Sequence, residues 1–107
     1  MADRYKVLWS DDARRYLATL KKFLKKVTPQ EIFKKSKYVL SEAPEKKGDI
    51  VHFPGFEYDD YYWIMLNNVI IVYDVLEKEN VVLVEACFYA NTGISAYVFW
   101  GIDPDED

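Results

Sequence analysis

Apolar residues in this chain change their spacing twice, near residues 10 and 50, and the changes divide it into a short strand-like start, a helical stretch and a sheet-like second half. "RYKVLW" alternates around Tyr5, Val7 and Trp9, the two-residue period of a strand. From Ser10 the steps lengthen to three and four. Ala13, Tyr16, Leu17, Leu20, Leu24 and Val27 then form one helical stripe. Ser10 can accept from an orphan backbone N–H at the helix start, and Asp11 and Asp12 place negative charge at the positive end of its dipole. "TPQE" at 28–31 starts a second helix: Thr28 caps it, Pro29 suits its first position and Glu31 serves as capping-box partner. Its inner face is Ile32, Phe33, Ser36, Val39 and Leu40, and it should stop before Pro44. Lys21, Lys22, Lys25, Lys26, Lys34, Lys35 and Lys37 fall mostly off both stripes. The pair reads as an antiparallel helical hairpin with a lysine-rich outside.

"SEAPEKKGD" follows as a polar connector. Strand patterns come next: "IVHF", a turn at Pro54 and Gly55, "YYWIML", a two-residue turn at Asn67 and Asn68, "VIIVYDVL", a turn from Glu77 to Asn80, and "VVLVEACFYA". Paired asparagines suit a hairpin because Asn tolerates positive φ. Continuous apolar runs imply strands covered on both faces, with the helical hairpin over one of them. The predicted class is α+β: an N-terminal strand, a two-helix hairpin, then a three- to four-stranded antiparallel sheet. Residues 1–107 are expected to form one domain, with the acidic tail 103–107 disordered.

Composition sharpens this picture. Half of the chain is hydrophobic, enough for a core that needs neither disulfide nor metal, and the lone Cys87 sits in an apolar run as a small buried hydrophobe. No segment has the length of uncharged apolar residues that a membrane helix requires, and the N-terminus lacks a signal-peptide core, so a bacterial-type cytoplasmic protein is expected. Charge is unevenly spread: residues 1–50 hold 13 Lys and Arg against 7 acids, whereas residues 51–107 hold only Lys78 against 11. A basic face and an acidic face follow, and with them a hint of electrostatic partner recognition. Aromatics reach 17% and concentrate in the second half, where some of them can serve an interaction surface.

One strand, two helices and an antiparallel meander resemble the RelE/ParE toxin superfamily of type II toxin-antitoxin systems. The resemblance rests on "YKVLWSDDARRYLATLKKF" and "YYWIMLNNVIIVYDVLEKENVVLVEA" and spans about residues 4–90. It implies a protein sequestered by an antitoxin and, in the family's ribosome-dependent nucleases, mRNA cleavage by basic residues on the central strands with a tyrosine near the C-terminus. A cation must stabilise charge on the scissile phosphate, and a base must deprotonate the attacking 2′-hydroxyl. At the corresponding positions this chain has Trp63, Met65, Ile70 and Ala90, none of them cationic, while Tyr97 lies near the expected tyrosine. The basic residues of gyrase-inhibiting relatives are also missing where "FYANTG" stands.

The remaining candidates are few. His52, the only histidine, can be a general base beside Tyr58, Tyr61 and Tyr62, or a partly exposed structural residue. His52, Tyr89 and Tyr97 are the catalytic candidates; Lys21, Lys22, Lys25, Lys26, Lys46 and Lys47 are candidates for contact with a partner or a nucleic-acid backbone. No zinc ligand set, P-loop or dinucleotide fingerprint is present, so no metal and no cofactor is expected. Three readings stay open: a toxin with an atypical target or active site, a nuclease whose catalytic groups have moved, and a nontoxic binding module or degenerate toxin on the same scaffold. Partners in these readings are an antitoxin, ribosome and mRNA, gyrase, or a second copy through the aromatic surface.

Overall fold

Ser10 separates the first two elements by capping the second, as the computed structural model, which describes residues 4–51 and 55–90, makes plain. Strand β1 is Lys6–Trp9 and helix α1 is Asp11–Thr19. The Ser10 hydroxyl accepts from the Ala13 N–H at 3.1 Å and donates to the distant Glu85 carbonyl at 3.2 Å. This one side chain thus satisfies a helix end and fixes that end to the sheet.

The stripe running to Val27 predicts a longer first helix than the chain forms. After Thr19 there is a single 3-10 turn, Leu20–Lys22. The Thr19 hydroxyl donates to the Tyr16 carbonyl at 2.6 Å, and the Leu20 N–H turns to the Leu17 carbonyl. Side-chain capture of that carbonyl competes with the helical ladder, and the closely spaced lysines that follow repel one another. Leu24 and Val27 still pack on the core from irregular backbone.

Helix α2 is Pro29–Val39, capped by Thr28, which accepts from the Glu31 N–H at 3.1 Å. Its Ser36 is fully buried yet satisfied, accepting from Trp9 Nε1 at 3.0 Å and donating to the Phe33 carbonyl at 2.7 Å. The segment read as a connector holds a further short helix, α3, Pro44–Lys47. Pro44 suits a first turn, and Ala43 enters it from a left-handed φ of 43°.

The sheet is completed by β2 (Asp49–Ile50), β3 (Tyr62–Leu66), β4 (Val69–Leu76) and β5 (Val81–Tyr89), in the order β1-β5-β4-β3-β2. Strands β2 to β5 are antiparallel neighbours, as the pattern predicts, and β1 joins the outer side of β5 in parallel, Lys6 opposite Val81. The sheet is therefore five-stranded and mixed. Among the described residues, the predicted "IVHF" strand pairs with β3 at Ile50, preceded by Asp49, and Val51 beyond them donates to the Tyr61 carbonyl at 2.7 Å. Asn67 and Asn68 adopt φ of 51° and 66°, and Asn80 adopts 54° at the next reversal.

Val7, Trp9, Ile64, Leu66, Val69, Ile71, Tyr73, Val82, Val84 and Cys87 face the helices and bury against Ala13, Leu17, Leu20, Ile32 and Leu40. Alternation puts Trp63, Met65, Ile70, Val72, Asp74 and Phe88 on the opposite face. A bulge opposite Val72 and Tyr73 inserts one extra residue between Val84 and Cys87, and it sends Glu85 to that outer face as well. Val69 to Tyr73 are all buried, so β4 is covered on both sides. No helix among the described residues is long and apolar enough to cross a membrane. The tail 103–107 lies outside the described residues.

Candidate functional site

Lys25, Lys26 and Tyr89, far apart in sequence, line one cleft of about 410 Å³ together with Phe23, Leu24, Val27, Asn67 and Asn68. Tyr89 ends β5 on its helix side and stacks on Phe23, ring centroids 5.1 Å apart and planes 23° from parallel. Lys22 places its ammonium 5.1 Å from the Phe23 centroid. The cleft thus couples an aromatic stack to cations and turn amides. Phe23 is hard to read as a site residue from sequence because it falls off the helical stripe; its only signal is an aromatic flanked by lysine pairs, "KKFLKK".

The other candidate lysines lie elsewhere. Lys21 lines a separate groove of about 390 Å³ between α1 and α2, floored by Leu17 and Phe33. There the Arg14 guanidinium and the Lys37 ammonium lie 5.5 and 4.6 Å from the Phe33 centroid. Lys47 borders β2 and β3 and donates to the Val39 carbonyl at 2.9 Å, while Lys46 is exposed. These cations therefore form no single phosphate cradle. His52 and Tyr97 lie outside the described residues.

The outer sheet face has the opposite character. Trp63, Met65 and Ile70, three of the positions where the resemblance implies cations, share that face with Asp74 and Glu85. Ala90, the fourth, donates its backbone N–H to the Asn68 carbonyl at 2.8 Å. The segment 55–61 adds Phe56, Tyr58 and Tyr61, which meet edge-on with centroids 5.5 Å apart at each step, and Phe56 lies 6.4 Å from Phe88. Burial, then Glu57, Glu85, Tyr61 and Asp12, raise the pKa of Tyr58; burial, then Glu85 and Asp74, raise that of Tyr61. Both phenols stay neutral at physiological pH, as donors and not as bases. Tyr62, grouped with them in sequence, points the other way and stacks on Tyr73 at 5.6 Å. On β3, β4 and β5 no lysine or arginine faces this surface, so its side chains cannot neutralise a phosphate.

No protein-family model and no curated sequence matches the chain. Solved structures do. The toxin-antitoxin complex RelBE2 from Mycobacterium tuberculosis contains a chain that superposes with a TM-score of 0.66, at 16% identity over 83% of this chain and 94% of that one. The E. coli toxin RelE in the free state, with two arginines replaced by alanine, gives 0.56 at 20% identity over 92% and 96%. The intact E. coli RelBE toxin-antitoxin complex gives 0.55 at 21% identity over 82% and 99%. With the strand order, helical layer and closing hairpins described above, these superpositions establish that the chain has a RelE-like toxin fold.

Proposed function

We propose that this chain is the toxin-like component of a type II toxin-antitoxin system, sequestered by an antitoxin and acting with a target or active site unlike that of the ribosome-dependent nucleases. One observation carries the reading: a RelE-like fold that has Trp63, Met65, Ile70 and Ala90 where a nuclease of the family needs cations, with the carboxylates of Asp74 and Glu85 on the same strands. Loss of a single charge-stabilising donor costs roughly 10²- to 10³-fold in rate, and loss of the whole set leaves little catalysis. Binding asks for less. The exposed lysines of the helical layer and its apolar groove suit an acidic antitoxin segment, and two of the similar structures are toxin-antitoxin complexes. A cytoplasmic, single-domain bacterial protein is the setting this role requires.

A second reading rests on the cleft where Lys25, Lys26 and Tyr89 meet: a nuclease with relocated groups, its lysines on the phosphate and its phenol at the sugar. Both readings meet one experiment. The chain is expressed in a bacterial host with and without the product of any small reading frame found adjacent to its gene, and growth, mRNA cleavage, DNA supercoiling and co-elution are measured. The proposal expects growth arrest relieved by the neighbouring product, a stable complex, and no ribosome-dependent cleavage. Cleavage that disappears in a folded Tyr89→Phe chain establishes the second reading. Normal growth without a complex removes both, leaving a nontoxic module.

A further inference from the structure

We propose that the cleft between the irregular end of the first helical segment and the tip of the β3–β4 hairpin binds a nucleotide, its base stacked on Phe23 and its phosphate held by Lys25 and Lys26. Binding needs no bond to be cut, so the inference stands apart from the toxin and nuclease readings.

Phe23 has the marks of a stacking platform. It is a large apolar ring left 46% exposed, yet it is held in place: its backbone N–H donates to the Leu20 carbonyl at 2.9 Å, and Tyr89 lies against the ring with planes 23° from parallel. A ring already fixed loses little entropy when a base settles on it. Leu24 and Val27 add apolar lining, and Asn67 and Asn68 bring side-chain amides that can donate to or accept from a base edge.

Lys25 and Lys26 line the cleft with no carboxylate among its lining residues, and Lys22 holds its ammonium 5.1 Å from the Phe23 centroid. None of these three lysines takes part in the two ion pairs found among the described residues, Arg4 with Glu42 and Arg15 with Asp12. A base that stacks on Phe23 displaces the flexible Lys22 side chain, whose ammonium then reaches the phosphate beside it. Cations and an aromatic platform in one cavity select a ligand that has both an anionic group and a flat ring. An inorganic anion leaves the ring unused, and an uncharged ring leaves the lysines unpaired. The cleft, about 410 Å³, lies at the small end of the roughly 300–1,000 Å³ range of small-molecule sites, and Lys21 and Lys47 line other grooves. It therefore seats one nucleotide unit and not a long polyanion. That unit is the same chemistry whether it comes free or as one residue of a single strand.

The test is isothermal titration calorimetry of the full chain with adenosine diphosphate, adenosine, inorganic pyrophosphate and a single-stranded deoxyadenosine tetranucleotide, which lacks the 2′-hydroxyl and so reports binding without cleavage. The diphosphate is expected to bind at least about tenfold more tightly than adenosine or pyrophosphate, and to weaken as salt rises while adenosine does not. Phe23→Leu is expected to cost about 5- to 140-fold in affinity, the worth of one base–aromatic stack, and Phe23→Tyr to retain it. Lys25→Gln/Lys26→Gln is expected to bring the diphosphate down to the level of adenosine. Lys34→Gln/Lys35→Gln, the same change of charge made on α2 outside the cleft, is expected to leave affinity unchanged. Circular dichroism and thermal melts verify that each variant remains folded. A tetranucleotide that binds more tightly than the diphosphate makes a single strand the source of the unit, and the reverse order makes it a free nucleotide. Absence of binding by both overturns the proposal. So does pyrophosphate binding as tight as that of the diphosphate and unaffected by Phe23→Leu, or an equal loss in the Lys34→Gln/Lys35→Gln chain, which would leave only diffuse surface charge.

Discussion

Tyr73 shows how much of this fold hangs on one hydroxyl. The side chain is fully buried in β4 and donates to the Pro44 carbonyl at 2.6 Å, fixing the short α3 helix to the sheet. Tyr73→Phe leaves that carbonyl unpaired and is expected to cost roughly 1–3 kcal/mol in urea denaturation. Burial, then Tyr62, Glu45 and Asp49, push its pKa well above the ordinary 10.0. Burial alone moves the Cys87 thiol from 9.0 up to about 12. In both cases the folded state holds its proton after the unfolded chain has released it. Their contribution to stability is complete below the unfolded pKa and is lost as pH rises toward the folded one. Stability should therefore decline from about pH 9 upward, first through Cys87 and then, above about pH 10, through Tyr73. Cys87→Ala and Tyr73→Phe should each flatten their part of that decline in urea titrations at stepped pH. The same burial predicts that Cys87 reacts with a thiol reagent only as fast as the protein opens. That Cys87 packs as a hydrophobe is legible from the apolar run around it. Gly48 is not: its φ of −113° suits any residue, and its sequence reads as linker. A Cβ there would meet the Tyr73 hydroxyl and, at 2.6 Å, the Trp63 carbonyl, so Gly48→Ala should cost about 1–3 kcal/mol by overpacking.

Local rules predict the elements well where the chain's own side chains enforce them. Ser10, Thr28 and Pro29 mark helix starts that form as expected, and Asn67 and Asn68 both adopt the left-handed backbone of a tight hairpin. Asn68→Gly should raise the urea midpoint by removing that conformational penalty, whereas Asn68→Val should lower stability by about 1–2 kcal/mol. Ser10→Ala should cost about 0.5–2 kcal/mol for the lost cap. Prediction falters where a competing bond is invisible in the letters. The end of α1 is set by a Thr19 side-chain bond to its own helix, and α3 forms in polar sequence because Tyr73 reaches its first carbonyl from 29 positions away. Apolar periodicity sees neither.

At the scale of the whole molecule, the charge imbalance between the two halves becomes a separation between the helical layer and the outer sheet face. That much follows from sequence, because the helices lie in the first half of the chain and β3, β4 and β5 in the second. Which tyrosines share a surface does not. Tyr58 and Tyr61 meet, while Tyr62 turns inward, a distinction set by strand alternation and by the segment that folds over the face. The cleft joining Lys25 and Lys26 to Tyr89 likewise arises only when the irregular end of the first helical segment meets the tip of β5. One further consequence lies in β1, whose partner is the last described strand, so that Ser10 bonds Glu85 across 75 positions. During synthesis at about 5–20 residues per second, the first strand waits several seconds for the segment that will shelter it. Throughout that wait its Val7 and Trp9 are sticky and unpaired. A nascent chain of this design is thus most open to a chaperone, or to misassembly, before its final third has left the ribosome.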